Sequence, residues 1–364
     1  MRKRCNVAIM RTRTFPRYFA FALFLSAASV SARAQSWQVQ TSGTDTNLRA
    51  VSAVSFTNAR GKSQIAVWAS GSNGVILRSL DAGKTWKRLA VDGAASLDFR
   101  GLAARSASVA YVLSIGNGEK SRIYKTTDGG ATWQLQFSGA RNEIFLDALV
   151  CSTDTHCFAL GDPIDGKFLL LETADGQSWR EVPRNTMPAG LSNEGAFAAS
   201  NSCLAVHGSD LYFGTGGAAV VRVFHSPDFG RTWTVSDTPI ASGNASSGIF
   251  SLDVRRSPWL IVVGGDYQAA SVSARSAAIS RDNGQTWELS HPLPSGFRSA
   301  VSGLADSLAI AVGPTGEEET QDRGLSWEPT GTLNLNAVTV LDSSNVWAVG
   351  PKGTIARLRG MKIQ

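Results

Sequence analysis

An eight-residue pattern, Ser/Thr-x-Asp-x-Gly-x-Ser/Thr-Trp, recurs along this 364-residue chain and restricts its folding more than any other feature. It stands at residues 79–86 (SLDAGKTW), 126–133 (TTDGGATW), 226–233 (SPDFGRTW), 280–287 (SRDNGQTW) and 320–327 (TQDRGLSW). A sixth copy at 173–179 (TADGQSW) lacks one residue between Asp175 and Gly176, so its turn must be tighter or distorted. Successive tryptophans are 40 to 54 residues apart. Periods of that size belong to solenoids and propellers, not to strings of separate domains. Each period reads as four short strands: an apolar run such as LDALV, GAFAA or NAVTV; a second ending in glycine, such as VWASG, CLAVHG or VWAVG; a third leading into the octet, such as RIYKT; and a fourth after its tryptophan, such as WKRLA. That is the strand count of a propeller blade, and no apolar stripe at helical spacing competes with it.

The ends predict a ring. The last period, beginning LNAVTV, has three strands and no octet, whereas residues 36–40 (SWQVQ) resemble the strand after an octet, with Trp37 in the tryptophan's place. The expected fold is therefore all-β: a seven-bladed β-propeller of four-stranded antiparallel blades, closed by an N-terminal outer strand that leaves few open sheet edges.

Every residue type in the octet has a structural use. Asp81, Asp128, Asp175, Asp228, Asp282 and Asp322 can accept from N–H groups of their own turn. Gly83, Gly130, Gly230, Gly284 and Gly324 tolerate positive φ. Trp86, Trp133, Trp179, Trp233, Trp287 and Trp327 offer large apolar faces for packing between blades. No nucleophile stands beside a base, so the octet reads as a staple and not as a repeated catalytic site.

Residues 1–34 are a different kind of sequence. A basic stretch precedes an apolar run over residues 18–30, and Ala32-Arg33-Ala34 fits a small-x-small cleavage pattern. This predicts a secretory signal peptide cleaved before Gln35, with translation starting at Met1 or Met10, and a mature domain over 35–364 without a transmembrane span. The expected compartment is the periplasm or the exterior. Residues 1–34 hold seven of the 35 Lys/Arg and none of the 29 Asp/Glu, so the mature net charge is −1. Nucleic acid is not an expected partner. Cys151 and Cys157 flank a short turn and could form a disulfide if strand register allows it; Cys203 is expected as a buried thiol. The four histidines show no metal-ligand spacing, and GDPIDGK at 161–167 lacks the Ser/Thr and helix of a phosphate-binding loop, so neither metal nor cofactor is expected.

The octet resembles the Asp-box, or BNR repeat, of sialidases and sortilin-type receptors. With its short blades and the motif VWAVG-x-x-G, the mature chain resembles the photosystem II stability/assembly factor family. The resemblance implies a non-catalytic scaffold that binds a protein partner, such as a subunit of a membrane complex; the chain itself is expected to be a monomer. Sialidase-like glycan activity is the alternative, with Asp162, Asp165, Asp266 and Glu143 as candidate carboxylates; no Arg-Ile-Pro motif stands near the mature start.

Octets and first-to-second turns share one face of a propeller, so function is sought on the other. Aligning the starts of the innermost strands gives Arg49, Arg100, Asp147, Gly195, Ser251, Arg298 and Asn336 around the channel mouth, with Arg141, Glu143 and Glu194 in nearby loops. Convergent arginines there could hold carboxylates of a partner, or each could pair with an acid on a neighbouring blade.

Overall fold

The computed structural model describes Met1 and residues 36–359. The expected leader and its cleavage point lie outside the described residues. Seven four-stranded antiparallel sheets follow one another, each with strands in chain order from the channel outwards. The exception is the closing sheet, where Ser36–Gln40 forms the outer strand against Ile355–Arg359, with Trp37 opposite Leu358. The blades span residues 48–89, 98–138, 146–181, 204–238, 247–289, 300–331 and, with the N-terminal strand, 337–359.

The octets join third to fourth strands, and their internal bonding repeats. In the fifth blade the Ser280 hydroxyl donates to Asp282 (2.8 Å) and accepts from the Gly284 N–H (2.8 Å). Asp282 accepts from the Thr286 N–H (2.9 Å) and hydroxyl (2.6 Å). Asn283 and Gly284 both sit at positive φ, 60° and 82°, the conformation for which the glycine is required. Burial acts to raise the Asp282 pKa, but the bonds from Thr286 and Ser280 outweigh it and hold the carboxyl below its ordinary value. The shortened copy is altered as expected. Asp175 accepts from the Gln177 and Ser178 N–H groups (both 2.8 Å), and the Gly176 carbonyl instead accepts from Lys125 (2.7 Å) and Gln136 (2.9 Å) of the preceding blade.

Each octet tryptophan stitches its blade to the one before. Trp133 meets Trp68 edge-on at 6.4 Å, and Trp179 meets Tyr111 likewise. The indole N–H groups of Trp179, Trp287 and Trp327 donate to Gln136, Ser236 and Ser290 of the preceding blades. Trp37 packs on the apolar cluster shared by the sixth and seventh blades, as an octet tryptophan would.

The fourth blade corrects the sequence reading. GAFAA is not its innermost strand. That place belongs to Leu204–His207, read above as the second strand, which pairs with Asp210–Gly214. Residues 195–203 leave the blade and cross the central channel. The Asn201 amide accepts from the Leu149 N–H (2.8 Å) and donates to the carbonyls of Leu102 (3.1 Å) and Leu149 (3.0 Å). The Ser200 hydroxyl donates to the Ser299 carbonyl (2.7 Å), and the Ser202 carbonyl accepts from the Leu252 N–H (2.9 Å). One short segment thus touches the second, third, fifth and sixth blades.

Candidate channel-mouth site

The innermost strands begin with a one-residue bulge in at least four blades, and the bulged residues are Arg49, Arg100, Asp147 and Phe250. The glycines that close the second strands fix the equivalences. A Cβ on Gly71 would meet Leu48, one on Gly313 would meet Arg298, and one on Gly350 would meet Leu335. Arg298 therefore corresponds to Leu48, and Ser299 to Arg49. The sequence alignment slips by one residue in two blades: Phe250, not Ser251, and Ser299, not Arg298, face the channel. A one-residue slip sends a side chain to the opposite side of the strand.

The mouth is a cavity of about 440 Å³ lined by Arg49, Arg100, Phe250, Ser299 and Asn336, with Tyr267, Phe297 and Pro314 on its rim. Its floor is the crossing segment, through Phe197, Ala198 and Ala199. Phe197 stacks on Phe250 at 3.9 Å, and Phe297 meets Phe250 edge-on at 4.6 Å, so the side under the fifth and sixth blades is aromatic. The first and second blades supply the cationic side. Arg100 donates to Asp98 (2.8 Å) and to the Ala198 carbonyl (3.0 Å). Arg49 has a buried Nε without a hydrogen-bond partner. Burial, then the like charge of Arg100, push its pKa down to about 10, against a smaller opposing pull from Asp98. A guanidinium in that position gains from any anion that enters, and the aromatic wall favours an apolar group beside it.

The other residues expected at the mouth lie elsewhere. Arg298 is 1 % exposed and pairs with Glu318 (2.9 and 3.1 Å), Ser295, Thr315 and the Phe297 carbonyl. Glu194 is buried against Arg222, with Thr215 donating to it at 2.7 Å. Arg141 pairs with Glu181 at the surface (3.4 Å), and Glu143 is exposed. Asp147 is buried away from the cavity, and both its carboxylate oxygens lack a partner. Asp162, Asp165, Asp266 and Glu143 do not line the cavity. Asp162 accepts from the Ala196 N–H (3.0 Å) and Asp266 from the Gln268 N–H (2.9 Å). Asn336 donates to Asn47 and the Leu48 carbonyl (both 2.7 Å).

The sequence reading missed the aromatic wall, although Phe250 and Phe297 each stand one position before a residue it singled out. Cys151 and Cys157 are directly opposed in register and disulfide-bonded, and Cys203 is a buried free thiol. Among the described residues no group of three or more His, Cys, Asp or Glu side chains is placed to hold a metal ion, and no helix is long and apolar enough to cross a membrane.

The model of the BNR/Asp-box repeat family matches residues 278–289, which contain the fifth blade's octet. No curated protein matches the chain. Among solved structures, YCF48 from Cyanidioschyzon merolae is similar at 15 % identity and a TM-score of 0.63, over 89 % of this chain and 98 % of that one. YCF48 bound to D1 peptide is similar at 16 % identity and a TM-score of 0.59, over 89 % and 96 %. The computationally designed Ika8 protein is similar at 12 % identity and a TM-score of 0.52, over 89 % and 99 %. At these identities the likeness is one of fold: the chain is a seven-bladed Asp-box propeller, built like YCF48.

Proposed function

We propose that this propeller is an exported, non-catalytic scaffold that binds an acidic segment of a partner protein at the channel mouth, in the assembly of a membrane or periplasmic complex. The observation that carries the reading is Arg49: a partly desolvated guanidinium with an unpartnered Nε, next to a second arginine and facing an aromatic wall. A carboxylate supplies the missing acceptor, and a neighbouring apolar side chain covers Phe197 and Phe250. That a propeller of the same architecture is known bound to D1 peptide supports a protein partner. The leader-like pattern of residues 1–34, a basic stretch, an apolar run and a small-x-small site, supports export.

The test is charge reversal at the two mouth arginines. In Arg49→Glu/Arg100→Glu, capture of the partner in crosslinked pull-downs from the cell envelope should be lost, with Tm held within a few degrees. The wild-type interaction should weaken steeply as salt is raised. Undiminished capture by the double variant overturns the site. Turnover on a glycoside panel, abolished by removing Asp162, Asp165, Asp266 or Glu143, overturns the scaffold reading.

A further inference from the structure

Among the described residues Tyr267 is the one exposed aromatic side chain, and it stands on the rim of the mouth cavity, 47 % exposed. It directly follows the second strand of the fifth blade, Trp259–Asp266, at the head of the loop that leads to the third strand, Ala277–Ser280. That loop is held at several points. Asp266 caps the short turn over Tyr267–Ala269 by accepting from the Gln268 N–H (2.9 Å), and Asn244 donates to its other oxygen (3.2 Å). The Tyr267 N–H donates to the Ser246 carbonyl (3.3 Å), and the Phe297 N–H donates to the Ala270 carbonyl (2.9 Å). The Ser273 hydroxyl donates to the Pro294 carbonyl (2.6 Å). Ala270 packs on the cluster of Ala199, Phe250 and Phe297. A ring exposed on a backbone fixed in this way loses little conformational freedom when a partner covers it.

The ring continues the aromatic wall outwards. It sits edge-on to Phe250 (6.0 Å, 77°) and to Phe197 (6.4 Å, 82°). The other side of the cavity carries Arg49 and Arg100. Both sides favour the same kind of side chain. An aromatic ring that enters beside a carboxylate can pack edge-on or offset against the wall, as aromatic pairs prefer. Its remaining face then meets the guanidinium groups, which are attracted to the negative face of a ring. An aliphatic side chain gains burial from the wall but nothing of this kind from the arginines. A cavity of about 440 Å³ holds no more than a few side chains, so the ring and the carboxylate must stand close together in the partner's chain.

We propose that Tyr267 is a specificity-determining residue of the mouth, and that the segment it selects carries an aromatic side chain within a residue or two of its carboxylate. This rests on the reading that the mouth binds an acidic segment, and it adds what must stand beside the acid. Arg49 and Arg100 take the carboxylate. Tyr267, with Phe197 and Phe250, takes the ring.

The test uses fluorescein-labelled synthetic peptides of Gly and Ser that carry one Glu and one Phe, adjacent or up to two residues apart, in either order. Each is titrated with the protein at low salt and followed by fluorescence anisotropy. The tightest binder is then compared with the same peptide carrying Gln for Glu, or Leu for Phe. On the wild type, Phe should bind about fivefold more tightly than Leu, and Glu about tenfold more tightly than Gln. In Tyr267→Ser the preference for Phe should fall to about twofold or less while the preference for Glu remains, and Tyr267→Phe should keep both. Arg49→Glu/Arg100→Glu should lose the preference for Glu. These are ratios within one variant, so a change in overall stability does not move them. If Tyr267→Ser does not fold, Tyr267→Leu, which keeps apolar bulk and removes the ring, decides. A wild type that prefers Glu but not Phe, or an undiminished preference for Phe without the Tyr267 ring, overturns this inference and leaves the acid-binding reading standing. Equal binding of Glu and Gln peptides, or no saturable binding of any peptide, overturns both.

Discussion

Arg298→Ala should destabilise the protein by about 3–5 kcal/mol in urea unfolding, whereas Arg49→Ala should change stability by less than about 1 kcal/mol. The two residues read alike in sequence, each an arginine near the head of an innermost strand. Arg298 is buried and spends its guanidinium on Glu318, Ser295, Thr315 and a carbonyl. Removing it leaves Glu318, itself 1 % exposed, with the Ser295 N–H at 2.6 Å but no counter-charge. Breaking one side of a buried pair costs far more than the pair itself contributes. Arg298→Met combined with Glu318→Leu should therefore recover much of the loss. Arg49 has no such partner to strand, and its removal relieves repulsion with Arg100. If Arg298→Ala unfolds within about 1 kcal/mol of the wild type, the ion pair is not the structural clamp described here.

The same contrast shows what was legible in the sequence. The octet fixes a turn by local bonds alone, so its copies count the blades without reference to anything distant. Trp37 was legible for the same reason: it stands where an octet tryptophan would. The channel mouth is set by non-local facts. An inserted bulge residue breaks the alternation of a strand, and nothing in HPLPSGFRSA says whether Arg298 falls before or after that break. GAFAA has the look of a strand, but whether it pairs depends on a partner. Asp210–Gly214 pairs instead with Leu204–His207, and the residues left over cross the channel. Long blade periods, such as the 54 residues between Trp179 and Trp233, are the one sequence trace of such slack. Asp147 holds the bulge position equivalent to Arg49 and Arg100, yet it is buried and lines no part of the mouth cavity.

Deleting the chain up to Gln40 should lower stability by about 3–5 kcal/mol and convert a monodisperse protein into an aggregating one, measured by thermal unfolding with light scattering. The strand is mostly exposed, so its value does not lie in burial along its length. It lies in three contacts. Five residues pair with Ile355–Arg359, and without them that strand becomes an open edge. Trp37 packs on the cluster joining the sixth and seventh blades. Gln40 lies against the first octet, donating to the Ala82 carbonyl at 3.4 Å, so the strand also ties the seventh blade to the first. Trp37→Ala keeps the backbone pairing and removes only the packing, and should cost about 1–3 kcal/mol without aggregation. A synthetic peptide of residues 36–45 added to the truncated chain should restore the melting temperature in a concentration-dependent way, because binding to the native edge shifts unfolding by mass action. A truncated chain that stays monodisperse and melts with the wild type would show that the sixth and seventh blades hold the ring shut without the strand.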